Sequence, residues 1–211
     1  MYVHTAFYCL LISAFVPAFA SAHPVSFKDG YGVMPGYTKE RQELELNYSI
    51  TSSSAIALNS IKLEYDEEDL VFILPQFNHK FYRKNEAESQ TNLYGSFGLG
   101  TARYRDQTEV AGVASFQADY ETRRIYTLIS AEHLQTEAIG LNRVRYRIGV
   151  APYLADFESF HTWLIGQVEF TPELDDEWTV TPMVRFFYKN FLVEIGSSLK
   201  GDPFVAGIFH F

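Results

Sequence analysis

The chain has 211 residues, a formal net charge of -9, one Cys, and a composition that is 47% hydrophobic and 16% aromatic. That length suits one domain, its apolar content excludes a disordered chain, and its cysteine content excludes a disulfide scaffold. The acidic balance argues against a nucleic-acid partner, which would select a basic stripe, while 14 Tyr, 18 Phe and 2 Trp suggest a β-barrel or sandwich, in water or at a membrane interface.

Residues 1–22 carry no Lys, Arg, Asp or Glu, and Ala6 to Phe19 reads AFYCLLISAFVPAF before the small-residue site Ala20-Ser21-Ala22. This predicts a secretory signal peptide cleaved before His23, leaving 23–211 as a single domain. The apolar run is too short for a membrane anchor, which needs roughly 20 apolar residues. Cys9 falls inside the predicted peptide, so the mature chain would have no cysteine.

Beyond residue 22 the dominant pattern is two-residue alternation interrupted by polar clusters, the signature of strands and hairpins. The runs predict about twelve strands, with ten as the alternative, near 28–36, 41–50, 55–65, 69–81, 91–104, 109–120, 124–134, 142–155, 159–171, 177–188, 190–199 and 204–211. Leu44, Leu46 and Tyr48 alternate with Glu43, Glu45 and Asn47. Val144, Tyr146 and Ile148 alternate with Arg143, Arg145 and Arg147. In 159–171 the pattern is mixed, because Trp163 and Ile165 share a face with Gln167 and Glu169. The segment Lys84 to Gln90 reads as a long turn.

A soluble sandwich alternates too, but aromatic rings here gather near strand ends, at Tyr48, Tyr65, Phe81, Tyr104, Tyr120, Tyr126, Phe170, Tyr188 and Phe191. Strands of about 9 to 13 residues also match the length that tilted strands need to cross a bilayer core. The fold class is therefore all-β, a closed antiparallel transmembrane β-barrel. Its polar face would line a lumen with Glu43, Glu45, Lys62, Glu64, Lys80, Asp119, Arg143, Arg145, Arg147, Glu169, Arg185 and Glu194. Charges inside a membrane protein must be paired or wetted, so this set reads either as a salt-bridge network or as a wet path whose arginine column attracts solutes.

The chain ends Phe204-Val205-Ala206-Gly207-Ile208-Phe209-His210-Phe211. With the signal peptide and the strand pattern, this ending resembles that of Gram-negative outer-membrane β-barrel proteins. The resemblance is to the class and to no particular subfamily. It implies an outer-membrane location with both termini periplasmic, surrounding lipid and lipopolysaccharide, and a terminal Phe211 that forms part of the signal read by the barrel-assembly machinery.

Catalytic patterns are absent from the sequence. None of the six His is followed two positions later by Ser, the pattern of outer-membrane lipid hydrolases, and no motif joins His133 to Asp175 and Asp176 as in omptin-type proteases. His79, His133, His161 and His210 stand apart with no ligand spacing, so neither a metal nor a cofactor is expected. A mature amino terminus at His23 could chelate copper, but Pro24 removes the next amide donor. The expected function is a non-enzymatic barrel, either a narrow channel for small polar or ionic solutes or a structural barrel with a salt-bridged lumen. The alternatives are an outer-membrane enzyme hydrolysing lipid or peptide at the extracellular rim, and a soluble periplasmic all-β ligand-binding protein.

Overall fold

The computed structural model describes residues 23–156 and 158–211. The predicted signal peptide, with Cys9 and the cleavage site, lies outside the described residues. Twelve strands follow in order: β1 (Tyr31–Tyr37), β2 (Arg41–Ser49), β3 (Ser54–Tyr65), β4 (Glu68–Asn85), β5 (Ser89–Tyr104), β6 (Gln107–Thr122), β7 (Ile125–Gln135), β8 (Gly140–Val150), β9 (His161–Thr171), β10 (Asp175–Tyr188), β11 (Phe191–Ser197) and β12 (Pro203–His210). Each pairs antiparallel with its sequence neighbours, and β1 pairs with β12 through Gly32↔His210 to Tyr37↔Val205, closing the barrel. Closure leaves no unpaired edge, which a bilayer core would not tolerate. The expected all-β closed antiparallel barrel is therefore the fold.

Because every connection is a hairpin, the two termini and the connections 50–53, 86–88, 123–124, 151–160 and 189–190 share one end. We call this the terminal end, and the opposite one the far end. Several hairpins are as tight as two residues. Asp66 and Glu67 take φ of 51° and 62°, and Arg105 and Asp106 take 46° and 63°. Positive φ at both central residues is the type I′ geometry whose twist matches that of the flanking strands.

Two boundaries differ most from the sequence expectation. Lys84 to Gln90 is mostly strand, since Asn85 pairs with Gln90 and only 86–88 turn. A bulge between Lys80 and Tyr82 makes this extension workable. The extra residue resets the alternation, so Phe81 stays exposed while Arg83 donates inward to Asn92 (2.7 Å) and to the Tyr94 hydroxyl (2.8 Å). Strand β8 stops at Val150 rather than continuing to 155, and 151–160 becomes the longest connection. Pro152 has no N–H to give a ladder, which accounts for the early stop. Pro75, inside β4, interrupts pairing to β5 between Ile73↔Thr101 and Gln76↔Gly98. There Gly98 lets the strands close up, as its Cβ would sit 2.5 Å from the Pro75 carbonyl oxygen.

The outer wall is apolar. Leu44, Leu46, Ile56, Leu58, Ile129, Val144, Ile148 and Ile195 are exposed on it. Rings flank this band at both ends. At the terminal end Tyr31 meets Tyr48 (5.0 Å between centroids) and Phe191 meets Phe211 (6.2 Å), and at the far end Phe170 stacks on Trp178 (4.9 Å). Apolar bands girdled by aromatics are what outer-membrane barrels present to lipid.

The inside is filled by side chains. Ile61, Leu63, Leu70, Phe72, Leu134 and Leu141, with their neighbours, form an apolar cluster across the far half of β3 to β8. Tyr126, Trp163, Ile165, Met183 and Phe204 form a second cluster. At the terminal end residues 23–26 tuck into the mouth. There Val25 packs on Ala55 and Tyr94, and Ser26 N–H donates to the Ser49 hydroxyl (2.9 Å).

Candidate functional site

Period-2 alternation with one face on lipid leaves the polar face of each strand only the interior to point into. Glu43 and Glu45 on β2, Asp119 on β6, Arg143, Arg145 and Arg147 on β8, Glu169 on β9, Arg185 on β10 and Glu194 on β11 all face the interior. Lys80 sits at the terminal mouth, where its ammonium donates to the Ser52 carbonyl and stays partly exposed.

Lys62 and Glu64 are a correction to the sequence reading, because both lie on the outer face of β3. Asn59, Ile61 and Leu63 are buried, while Ser60, Lys62 and Glu64 alternate with them. Lys62 forms a surface ion pair with Asp69 at 2.7 Å. Near the far rim the apolar cluster occupies the interior and the polar headgroup zone lies outside, so the rule that charge points inward is reversed there.

The charges that do face inward form two dense groups. The first bridges the barrel. Arg41 of β2 reaches Glu132 of β7 with a forked pair (Nη1–Oε1 2.7 Å, Nη2–Oε2 3.1 Å) and donates from Nε to Glu43 Oε2 at 2.9 Å. Arg143 completes this group, 3.3 Å from Glu132 and 4.0 Å from Glu43. The planar guanidinium fork suits such pairing, since one cation serves two carboxylates. In the second group Glu194 lies between Arg147 (Nη1–Oε2 3.1 Å) and Arg185 (Nε–Oε1 2.8 Å). Arg147 Nε also donates to Gln167 Oε1 at 2.7 Å, and Arg185 stacks over the Tyr126 ring at 4.3 Å.

Two inward charges are held less completely. Arg145 has Glu169 at 3.6 Å, and its buried Nε makes no hydrogen bond. Glu45 is met by amides, from Asn78 (2.8 Å), Gln76 (2.9 Å) and Asn47 (3.4 Å). Both line a chamber of about 220 Å³ at mid-lumen. Asp119, nearer the terminal mouth, accepts from Asn92 at 2.7 Å and lies 3.6 Å from the His23 ring nitrogen.

Two smaller cavities lie between the chamber and the far rim. One of about 20 Å³ shares Glu132 and Arg143 with the chamber. The next, about 40 Å³, shares Thr38, Glu40, Glu169 and Thr171 with that one and reaches Asp202. Glu40, in the β1–β2 connection, is pushed above the usual carboxylate range by burial and then by Asp175 and Asp202 beside it. In the β9–β10 turn Glu173 goes the other way. Burial would raise it, but the backbone N–H (2.9 Å) and side-chain amide (2.7 Å) of Asn142 hold it below the usual range.

The sequence reading missed Arg41 and Glu132, the pair that spans the lumen. Glu132 shares its face with Tyr126, Leu128 and Leu134, so alternation alone puts it on an apolar surface. The buried amides Asn47, Asn59, Gln76 and Asn78 were also missed, since nothing about an Asn or Gln in a strand marks it as a partner for a distant carboxylate. Among the described residues no group of three or more His, Cys, Asp or Glu comes together to hold a metal. His133 is drawn to Asn142 (2.9 Å).

No protein-family model matches the chain, and no curated protein matches it either. Solved structures do resemble it. The KdgM porin in complex with disordered oligogalacturonate has a TM-score of 0.50 at 9% identity, over 86% of this chain and 98% of that one. KdgM porin alone gives 0.49 at 8% identity, over 86% and 98%. LpxR from Salmonella typhimurium gives 0.46 at 7% identity, over 86% and 99%. At such identity the likeness is one of fold. With the apolar band, the aromatic girdles and the closed hairpin topology, it defines the class: the chain is an outer-membrane β-barrel. Within that class one of its structural neighbours is the KdgM porin.

Proposed function

We propose that this barrel is a non-enzymatic, narrow channel for small polar or ionic solutes, running along the arginine face of β8. The observation that carries the reading is the row of cavities between the far rim and the chamber, with shared lining residues and paired charges in their walls, beside the apolar cluster. Paired charges of both signs give a polar wall without a strong single-signed field, which favours small solutes over long charged polymers. The KdgM neighbour holds disordered oligogalacturonate. The chamber here, about 220 Å³, suits something far smaller. In this reading both termini are periplasmic, the far rim meets lipopolysaccharide, and the assembly machinery reads Phe211.

A specific observation favours a second reading, a sealed structural barrel. The apolar cluster blocks one side of the far half, and residues 23–26 occupy the terminal mouth. Single-channel recording in planar bilayers separates the two. The channel reading expects small discrete steps, and larger ones when Arg41→Gln and Glu132→Gln together dissolve the bridge. Silence from both the wild type and that double variant would leave the structural barrel.

A further inference from the structure

We infer that the mid-lumen chamber is a binding site for a small zwitterion of the amino-acid class, its ammonium taken by Glu45 and its carboxylate by Arg145. This deepens the channel reading and rests on it only in placing the solute on the path.

In the closed strand order β2 and β8 lie diametrically opposite each other. On the level nearer the far end the lumen is bridged, with Arg143 4.0 Å from Glu43 and Arg41 joined to Glu132. One inward-facing position further along each strand come Glu45 and Arg145. Here no bridge forms, and both side chains border the chamber instead.

Both residues leave charge for a ligand to meet. The Arg145 side chain is 24% exposed, and its nearest carboxylate is 3.6 Å away. Glu45 is solvated by amides alone, while Glu43, Glu132 and Glu194 each have an arginine. A charge inside a protein is costly unless it is paired, so a ligand that met both would give each its opposite. It must present a cationic donor to Glu45 and acceptors to Arg145.

Charge decides between ligand classes. A bare anion at Arg145 would share the chamber with Glu43, Glu45 and Glu132, and a bare cation at Glu45 would share it with Arg143, Arg145 and Arg147. A zwitterion aligned along the β2 to β8 axis meets neither conflict. Size agrees as well. At roughly 30 Å³ per water the chamber holds on the order of seven waters, or a solute of comparable heavy-atom count.

The test is calorimetric titration of the folded wild-type protein in detergent micelles with L-serine, and with acetate and methylammonium as its two halves. Serine is expected to bind at least tenfold tighter than either half. Glu45→Gln should weaken serine at least tenfold and spare acetate, whereas Arg145→Lys should weaken both by removing the planar fork. Ser130→Leu fills the chamber without touching a charge and should abolish serine binding. Heat-dependent gel mobility checks that each variant is folded. Acetate binding as tightly as serine, serine surviving Ser130→Leu, or no binding by any of the three would each overturn the inference. Conductance without serine binding would sink this inference and leave the channel reading standing. Serine binding without conductance would do the reverse.

Discussion

The sharpest stability test is Glu194→Gln, a change of charge with almost no change of shape. Glu194, 2% exposed, lies between Arg147 and Arg185 at 3.1 Å and 2.7 Å. Both guanidiniums are themselves nearly buried. With the carboxylate neutralised, two cations face each other with one shared acceptor oxygen. At an effective dielectric of about 20, a single pair at 4 Å is worth about 4 kcal/mol. Breaking a buried pair by removing one partner costs about 3–5 kcal/mol for the same reason. The expected loss is therefore about 3–5 kcal/mol, read as a fall in the urea midpoint of protein folded into phospholipid vesicles. Trp163 and Trp178 serve as reporters, one inside the barrel and one exposed. Replacing the whole triad, with Arg147→Met, Arg185→Met and Glu194→Leu, should recover most of the loss, since apolar substitutes of similar volume need no counter-charge. A cost for Glu194→Gln below about 1 kcal/mol would mean that water reaches the triad and that the lumen there is wet, refuting the packed-lattice account.

Ile148→Arg places a charge on the lipid face of β8, where Ile148 is 52% exposed, and should cost about 2–4 kcal/mol if it lies near the bilayer midplane; a harmless Ile148→Arg would invert the assignment of faces. Phe211→Ala should lower outer-membrane abundance in cells far more than it lowers the unfolding midpoint of purified protein, because Phe211 is an exposed ring resting on Phe191; unchanged abundance would remove its role in assembly. The Glu173 carboxyl, held below its unfolded value of about 4.3 by Asn142, stabilises the fold above that value and loses its contribution as pH falls through the lower folded value. Glu173→Gln should therefore lower stability slightly at neutral pH and flatten the acid limb of the curve below about pH 4, the variant and the wild type converging at the acid end, and an unaltered acid limb would show that the turn contact is not formed.

How much of this was legible in the chain follows from what period-2 alternation encodes. A strand with lipid on one side must alternate, so residues 41–50 and 142–150 carry their inside and outside faces in plain view, and the two-residue hairpins follow from polar clusters between apolar runs. Strand number, closure and membrane class came from such local signals together with the aromatic ends. Alternation does not, however, say which face is inside once the interior stops being polar. Lys62 and Glu64 obey the same alternation as Glu43 and Glu45 and point the opposite way, because the apolar cluster of Ile61, Leu63 and Phe72 fills the far interior. Nor could spacing along the chain pair Arg41 with Glu132, 91 residues away. Only closing the sheet sets β2 across from β7 and β8, and only that closure brings Glu45 and Arg145 around one chamber. The local pattern determines which elements form and which residues alternate, because it is dictated by neighbours one and two residues away. The tertiary structure decides which charges meet, because in a closed barrel the partners across the lumen belong to strands that are distant in sequence.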